Sequence, residues 1–281
     1  MAERMPTASP GRAGGTSYLR AGAGSPLILV HGVGMNAAFW RPQIEAFAAS
    51  HDVIALDMLG HGGSPLPPDP ARLEDYSDQI LALMDALGLE SAAFVGHSMG
   101  ALVVLDFALR HPGRTKRVAA LNAVYSRNPS QRAAVRERVA RLEGGEGGAD
   151  NAATLARWFG EPIPQPLRET AAWVDTALSS VNPVGYARTY RLFAEADEAF
   201  AGRLSSLSMP ALFLTGELDP NSTPDMSRTM AAQAAQGSVQ GSAQSRAVVL
   251  PGERHMMSLA SPERVNAVLQ DFLSTGPVRP A

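Results

Sequence analysis

The chain has 281 residues and no cysteine. That absence excludes a disulfide framework, a thiolate metal site and a cysteine nucleophile, and it fits a reducing compartment. A surplus of one charge is missing too. The formal net charge is -3 and the pI is near 6.1, so there is no electrostatic footprint for nucleic acid or for an anionic membrane surface. No apolar run is long enough to span a bilayer. Residues 1–16 are rich in Pro, Gly and Ala and lack the hydrophobic segment of a signal peptide. They are expected to form a frayed tail on a soluble, cytoplasmic protein. No internal repeat is present.

What is there is enough apolar material, 45% of residues, for a full core. The most informative stretch is Ala92-Ala93-Phe94-Val95-Gly96-His97-Ser98-Met99-Gly100. A short apolar run ends in Gly-x-Ser-x-Gly and continues with helical apolar spacing through Leu109, the order that a nucleophile elbow requires. Gly96 and Gly100 let strand and helix approach closely. Upstream, strands are expected at Ser25–His31 and Asp52–Asp57, a short helix at Phe39–Ala48 and a helix at Leu73–Leu87. A further strand is expected at Arg117–Val124.

This alternation predicts right-handed βαβ units and a mostly parallel sheet with helices on both faces. It disappears over 125–206, which carries helical patterns and the aromatics Trp158, Trp173, Tyr186, Tyr190 and Phe193. That block reads as an inserted helical lid between two parts of one α/β core, 17–124 and 207–281. The second part contributes a strand at Pro210–Thr215, a helix at Pro224–Ala235, a strand at Ala247–Leu250 and a last helix from Ser261. Glu143–Ala149 is a glycine-rich break, and Gln236–Ser245 is a polar, low-complexity connection.

A serine hydroxyl becomes a useful nucleophile only when a base takes its proton, and the base needs a carboxylate to hold its tautomer. With Ser98 as nucleophile, the order on this fold is Ser, acid, His. His255, just beyond the last strand, is the expected base; His111 sits in the helix stop His111-Pro112-Gly113 as a capping residue. The acid is Asp219, with Glu217 as runner-up. Asp57 reads as a turn anchor. Oxyanion donors are expected from the N–H groups of Met99 and Val33. His31, His61 and His97 fit hydrogen bonding and packing, since no metal-site spacing accompanies them; neither metal nor cofactor is expected. Arg188 and Arg191, on a stripe beside Tyr186, Tyr190 and Phe193, are candidates for holding a substrate carboxylate. Trp158, Trp173, Tyr186 and Tyr190 are candidates for lining an apolar pocket.

Taken together, His31-Gly32-Val33-Gly34, Asp57-x-x-Gly60-x-Gly62-x-Ser64, Gly96-x-Ser98-x-Gly100, Gly216-Glu217-Leu218-Asp219 and Gly252-x-x-His255 resemble the α/β-hydrolase superfamily over about 17–273. Within it the chain is similar to small lidded hydrolases such as 3-oxoadipate enol-lactonases and meta-cleavage C–C hydrolases. In the dehalogenase and epoxide hydrolase relatives the nucleophile is Asp; Ser98 stands there here. The resemblance implies a cofactor-independent hydrolase of a small ester, lactone or related carbonyl compound. The rivals are hydrolysis of a C–C bond and a ligand receptor that retains the triad. The expected partner is a small-molecule substrate, with homo-oligomerisation left open.

Overall fold

The computed structural model describes residues 8–144, 151–236 and 245–274. Most of the glycine-rich break and of the polar stretch after residue 236 therefore lies outside the described residues. Eight strands form one sheet: β1 (Ser9–Ala13), β2 (Thr16–Ala21), β3 (Ser25–Val30), β4 (His51–Leu56), β5 (Ala92–His97), β6 (Thr115–Leu121), β7 (Ala211–Gly216) and β8 (Ser245–Leu250). Their order is β1-β2-β4-β3-β5-β6-β7-β8. The first two pairings, β1 with β2 and β2 with β4, are antiparallel, and every other pairing is parallel.

The β1–β2 hairpin corrects the expectation of a tail for residues 9–16, and residues 1–7 lie outside the described residues. Ser9–Ala13 pairs residue by residue with Thr16–Arg20, although its sequence, SPGRA, has no apolar alternation. An edge strand needs only backbone partners on one side.

Helices cover both faces because successive strand side chains point to opposite sides. Ile28, Val30, Ile54, Leu56 and Phe94 share a core with α2 (Leu73–Ala86), α3 (Met99–Arg110) and α8 (Pro224–Gln236). Leu27, Leu29, Val53, Ala55 and Val95 pack instead with α1 (Arg41–Phe47) and α10 (Pro262–Ser274), which follows the short α9 (Met257–Ala260). The expected strands and helices of the core are all present, their ends differing by a few residues.

Between β6 and β7 the chain forms α4 (Pro129–Glu143), α5 (Asn151–Phe159), α6 (Arg168–Ser180) and α7 (Pro183–Glu195). The helix α7 meets the core backbone to backbone: a Cβ built on Gly185 would lie 2.3 Å from the carbonyl oxygen of Gly60. Only glycine allows that approach. Among the described residues no helix is long and apolar enough to cross a membrane.

Candidate active site

The parallel register brings the carboxyl ends of β3, β5, β6, β7 and β8 to one edge of the sheet, where side chains from separate turns can meet. Ser98 follows β5 and caps α3 with φ 54° and ψ -116°, a left-handed conformation that L-residues rarely adopt. Its strain is held in place by close packing on both sides. A Cβ on Gly96 would lie 2.1 Å from the Gly100 carbonyl oxygen, and one on Gly100 would lie 2.2 Å from that of Val30. The Ser98 N–H extends the ladder to the Leu121 carbonyl at 2.8 Å. The hydroxyl thus stands at the N-terminus of α3, where unpaired N–H groups gather.

His255 and Ser98 line the same cavity, of about 330 Å³. The His255 Nδ1–H donates to Asp219 Oδ2 at 2.8 Å, which leaves Nε2 as the basic nitrogen. Asp219 is buried, and its other bonds come from Asn122 Nδ2 at 2.8 Å, the Asn221 N–H at 2.8 Å and the Ser222 N–H at 3.2 Å. Burial would raise its pKa, but the neighbouring His255 and these donors outweigh burial and hold the carboxyl below its ordinary range. The runner-up Glu217 points away, accepting from the Gly252 N–H at 2.8 Å on an exposed turn. The pair His255–Asp219 is therefore the one the fold assembles.

Asn122, which has no local sequence signal, and His97, expected to hydrogen-bond, support that pair. Asn122, just past β6 with φ 51°, donates to the same Asp219 oxygen as His255. His97 Nε2–H donates to the His255 carbonyl oxygen at 2.9 Å, fixing the loop that carries this histidine.

The loop after β3 is pinned by the other histidines. His31 Nδ1–H donates to the Gly32 carbonyl at 2.8 Å while its Nε2 accepts from the Met58 N–H. His61 Nε2 accepts from the Gly34 N–H at 3.0 Å. Burial lowers the pKa of His31 to about 4, and those of His61 and His97 to about 3, so these rings are neutral struts. Asp57 is the expected anchor: Oδ1 accepts from the Ala37 N–H and Oδ2 from the Gly63 N–H. Val33 lines the cavity on this pinned loop. Met99 is the first residue of α3, whose N–H has no intrahelical acceptor.

A family described as "alpha/beta hydrolase fold" matches residues 25–262. The chain belongs to this family. It is similar to the (E)-2-((N-methylformamido)methylene)succinate hydrolase of Acinetobacter baylyi, with 40% identity over 92% of this chain and 94% of that protein. It is also similar to 3-oxoadipate enol-lactonase 2 of the same organism, with 32% identity over 70% of this chain and 72% of that one. The solved enol-lactonase of Burkholderia xenovorans LB400 superimposes with a TM-score of 0.83 at 26% identity, covering 95% of this chain and 100% of that structure. The chain is thus an α/β hydrolase.

In this hydrolase the helices between β6 and β7 supply one wall of the cavity. Trp158 of α5 and Tyr186 and Tyr190 of α7 line it as expected, and the Trp158 ring lies 5.5 Å from that of His255. Trp173 does not line it: on α6 it packs against the apolar core cluster. Arg188 and Arg191 are also corrected. Arg188 donates to the Pro67 carbonyl at 2.8 Å, and both arginines pair with Asp69, on the far side of α7 from the Tyr186–Tyr190–Phe193 stripe. The contact of Gly185 with Gly60 sets the rotation of the helix, and that rotation turns the tyrosines inward and these arginines out. The cavity is lined by other arginines: Arg127, after β6; Arg138 and Arg141, on α4; and Arg157, on α5.

Proposed function

We propose that the protein is a cofactor-independent serine hydrolase that cleaves a small ester, lactone or amide-like carbonyl compound through an acyl-enzyme at Ser98. The observation that carries this reading is a serine held at φ 54° on a helix N-terminus, sharing one cavity with a histidine whose Nδ1 is bonded to a buried carboxylate. Ser98 attacks the carbonyl carbon as His255 Nε2 takes the hydroxyl proton. Asp219 keeps the imidazole in that tautomer and stabilises the imidazolium. The oxyanion is met by the N–H groups of Val33 and Met99. The imidazolium then protonates the leaving group, and water, activated by the same histidine, releases the acid. Ser98 Oγ makes no hydrogen bond to a described residue, so the contact with His255 forms as substrate fills the cavity.

The ester and lactone classes follow from the likeness to enol-lactonases. The A. baylyi relative, whose name carries a formamido group, extends the range to an amide-like carbonyl. Residues 125–206 act as the lid that shapes the cavity, on a core made of 17–124 and 207–281. Turnover of 4-nitrophenyl acetate and labelling by a fluorophosphonate test the reading. Both are expected in the wild type and neither in Ser98→Ala; unchanged turnover in that variant refutes the assignment.

A further inference from the structure

Four guanidinium groups line the cavity, and Glu137 is the only acidic residue among its described lining residues. Like charges gathered around a partly desolvated space repel one another, and an anion against the wall offsets that repulsion.

Arg127 is the most telling. It is buried, and its Nη1 donates to the Phe193 carbonyl and to Asp197, while the guanidinium lies over the Phe193 ring at 4.3 Å. Its Nη2 is buried with no hydrogen-bond partner. A buried donor left unpaired is costly, and it adds to the positive potential behind the cavity wall. Arg138 and Arg157 come from different helices, α4 and α5, and neither makes a hydrogen bond or ion pair with a described residue. Glu137, exposed on α4, is paired with neither.

All three arginines line the cavity together with Tyr190. Burial and the neighbouring Tyr186 raise the pKa of that phenol, while Arg157, Arg138 and Arg127 act on it in the opposite sense. The Tyr190 ring is held between Tyr186 and Phe193, with centroids 5.8 Å away on each side. Tyr190, Arg138 and Arg157 thus face one cavity as donors that have no acceptor among the described residues, with the orphaned N–H of Arg127 beside them.

We propose that this wall is a carboxylate subsite: the substrate bears a carboxylate that seats beside Tyr190 between Arg138 and Arg157, with the positive charge of Arg127 behind them. The proposal uses the reading of Ser98 as nucleophile only to say that the scissile carbonyl lies at the other end of the same molecule. Guanidinium groups bind carboxylates through directed, charge-assisted bonds, so the site selects for charge and also orients the acyl group.

Binding and turnover test it separately. Calorimetric titration of the wild type with adipate and with its neutral isostere adipamide is expected to show binding of adipate alone. Arg138→Gln/Arg157→Gln should weaken adipate by about 10- to 100-fold, the worth of one or two charge-assisted bonds. Arg188→Ala, outside the cavity, should leave adipate affinity unchanged. In turnover, the double variant should lose the same factor in kcat/KM on mono-4-nitrophenyl adipate and nothing on 4-nitrophenyl hexanoate, which also reports that the variant is folded. Equal binding of adipate and adipamide overturns the subsite, as does an equal loss, or no loss, on the two esters. Adipate binding without turnover of either ester would instead sink the role of Ser98 and leave the subsite standing.

Discussion

Asp219→Asn is the sharpest perturbation of the proposed chemistry, because the carboxylate accepts four hydrogen bonds and donates none. In the variant, the amide oxygen can keep the two N–H groups of Asn221 and Ser222 only if the amide nitrogen faces Asn122 Nδ2 and His255 Nδ1, both donors. Turning the amide over merely moves the conflict to the other two N–H groups. The cheapest relief is for the imidazole to move its proton to Nε2 and accept at Nδ1. That tautomer cannot take a proton from Ser98. The expected loss is about 10⁴ in kcat, or about 5 kcal/mol of transition-state stabilisation, with the fold retained. Glu217→Gln changes only a bond to the Gly252 N–H on an exposed turn and should cost little. Steady-state and pre-steady-state hydrolysis of 4-nitrophenyl acetate by the two variants measures both effects. Retention of more than about a tenth of wild-type kcat in Asp219→Asn, or a larger loss in Glu217→Gln, would refute the reasoning.

Stability should fall as the pH drops below about 6.5. In the unfolded chain, His31, His61 and His97 bind a proton there, whereas in the folded state burial holds their pKa values at about 4, about 3 and about 3. Each then removes about 1.4 kcal/mol per pH unit until its folded pKa is reached; urea melts at a series of pH values check this, and a flat profile between pH 6.5 and 4 would contradict it. Asp219, with a depressed folded pKa, contributes stability above its unfolded pKa that is lost as the pH falls through the folded one, so Asp219→Asn should flatten the most acidic part of the same curve. Gly185→Ala places a Cβ against the Gly60 backbone, which cannot swing aside, and should lower Tm by an amount equivalent to about 1–3 kcal/mol, read by thermal melting. Asn122→Ala should reduce kcat while leaving KM nearly unchanged, since the Asn122 side chain bonds Asp219 and does not line the cavity.

Whatever depended on neighbours in sequence was legible without the structure. The elbow is one: strand, tight turn and helix lie within Ala92–Arg110, and the need for small residues at positions 96 and 100 is written in the motif itself. The parallel sheet was legible for the same reason, since buried strands and amphipathic helices alternate with recognisable ends. The residues proposed as acid and base could be picked out because each follows a strand, although Asp219 and Glu217 were separated in space only by the turn that points one inward and the other out. The β1 strand was not legible, because its partner supplies the order that its own sequence does not signal.

Tertiary structure alone decided which charges face the cavity. Arg188 and Arg191 lie beside the inward stripe of α7 in sequence, yet Asp69 and Pro67, more than a hundred residues away, take them. Arg127, Arg138 and Arg157 come from a loop and two helices that share no local pattern. Asn122 and His97 likewise acquire a role only when β6 and β5 bring them beside residues 219 and 255. Periodicity tells which residues of a helix share a face; which face turns inward depends on packing, here on the contact between Gly185 and Gly60. The chain carries its serine turn and its scaffold in local sequence, and the charges that face its cavity in contacts that exist only once helices α4, α5 and α7 have docked.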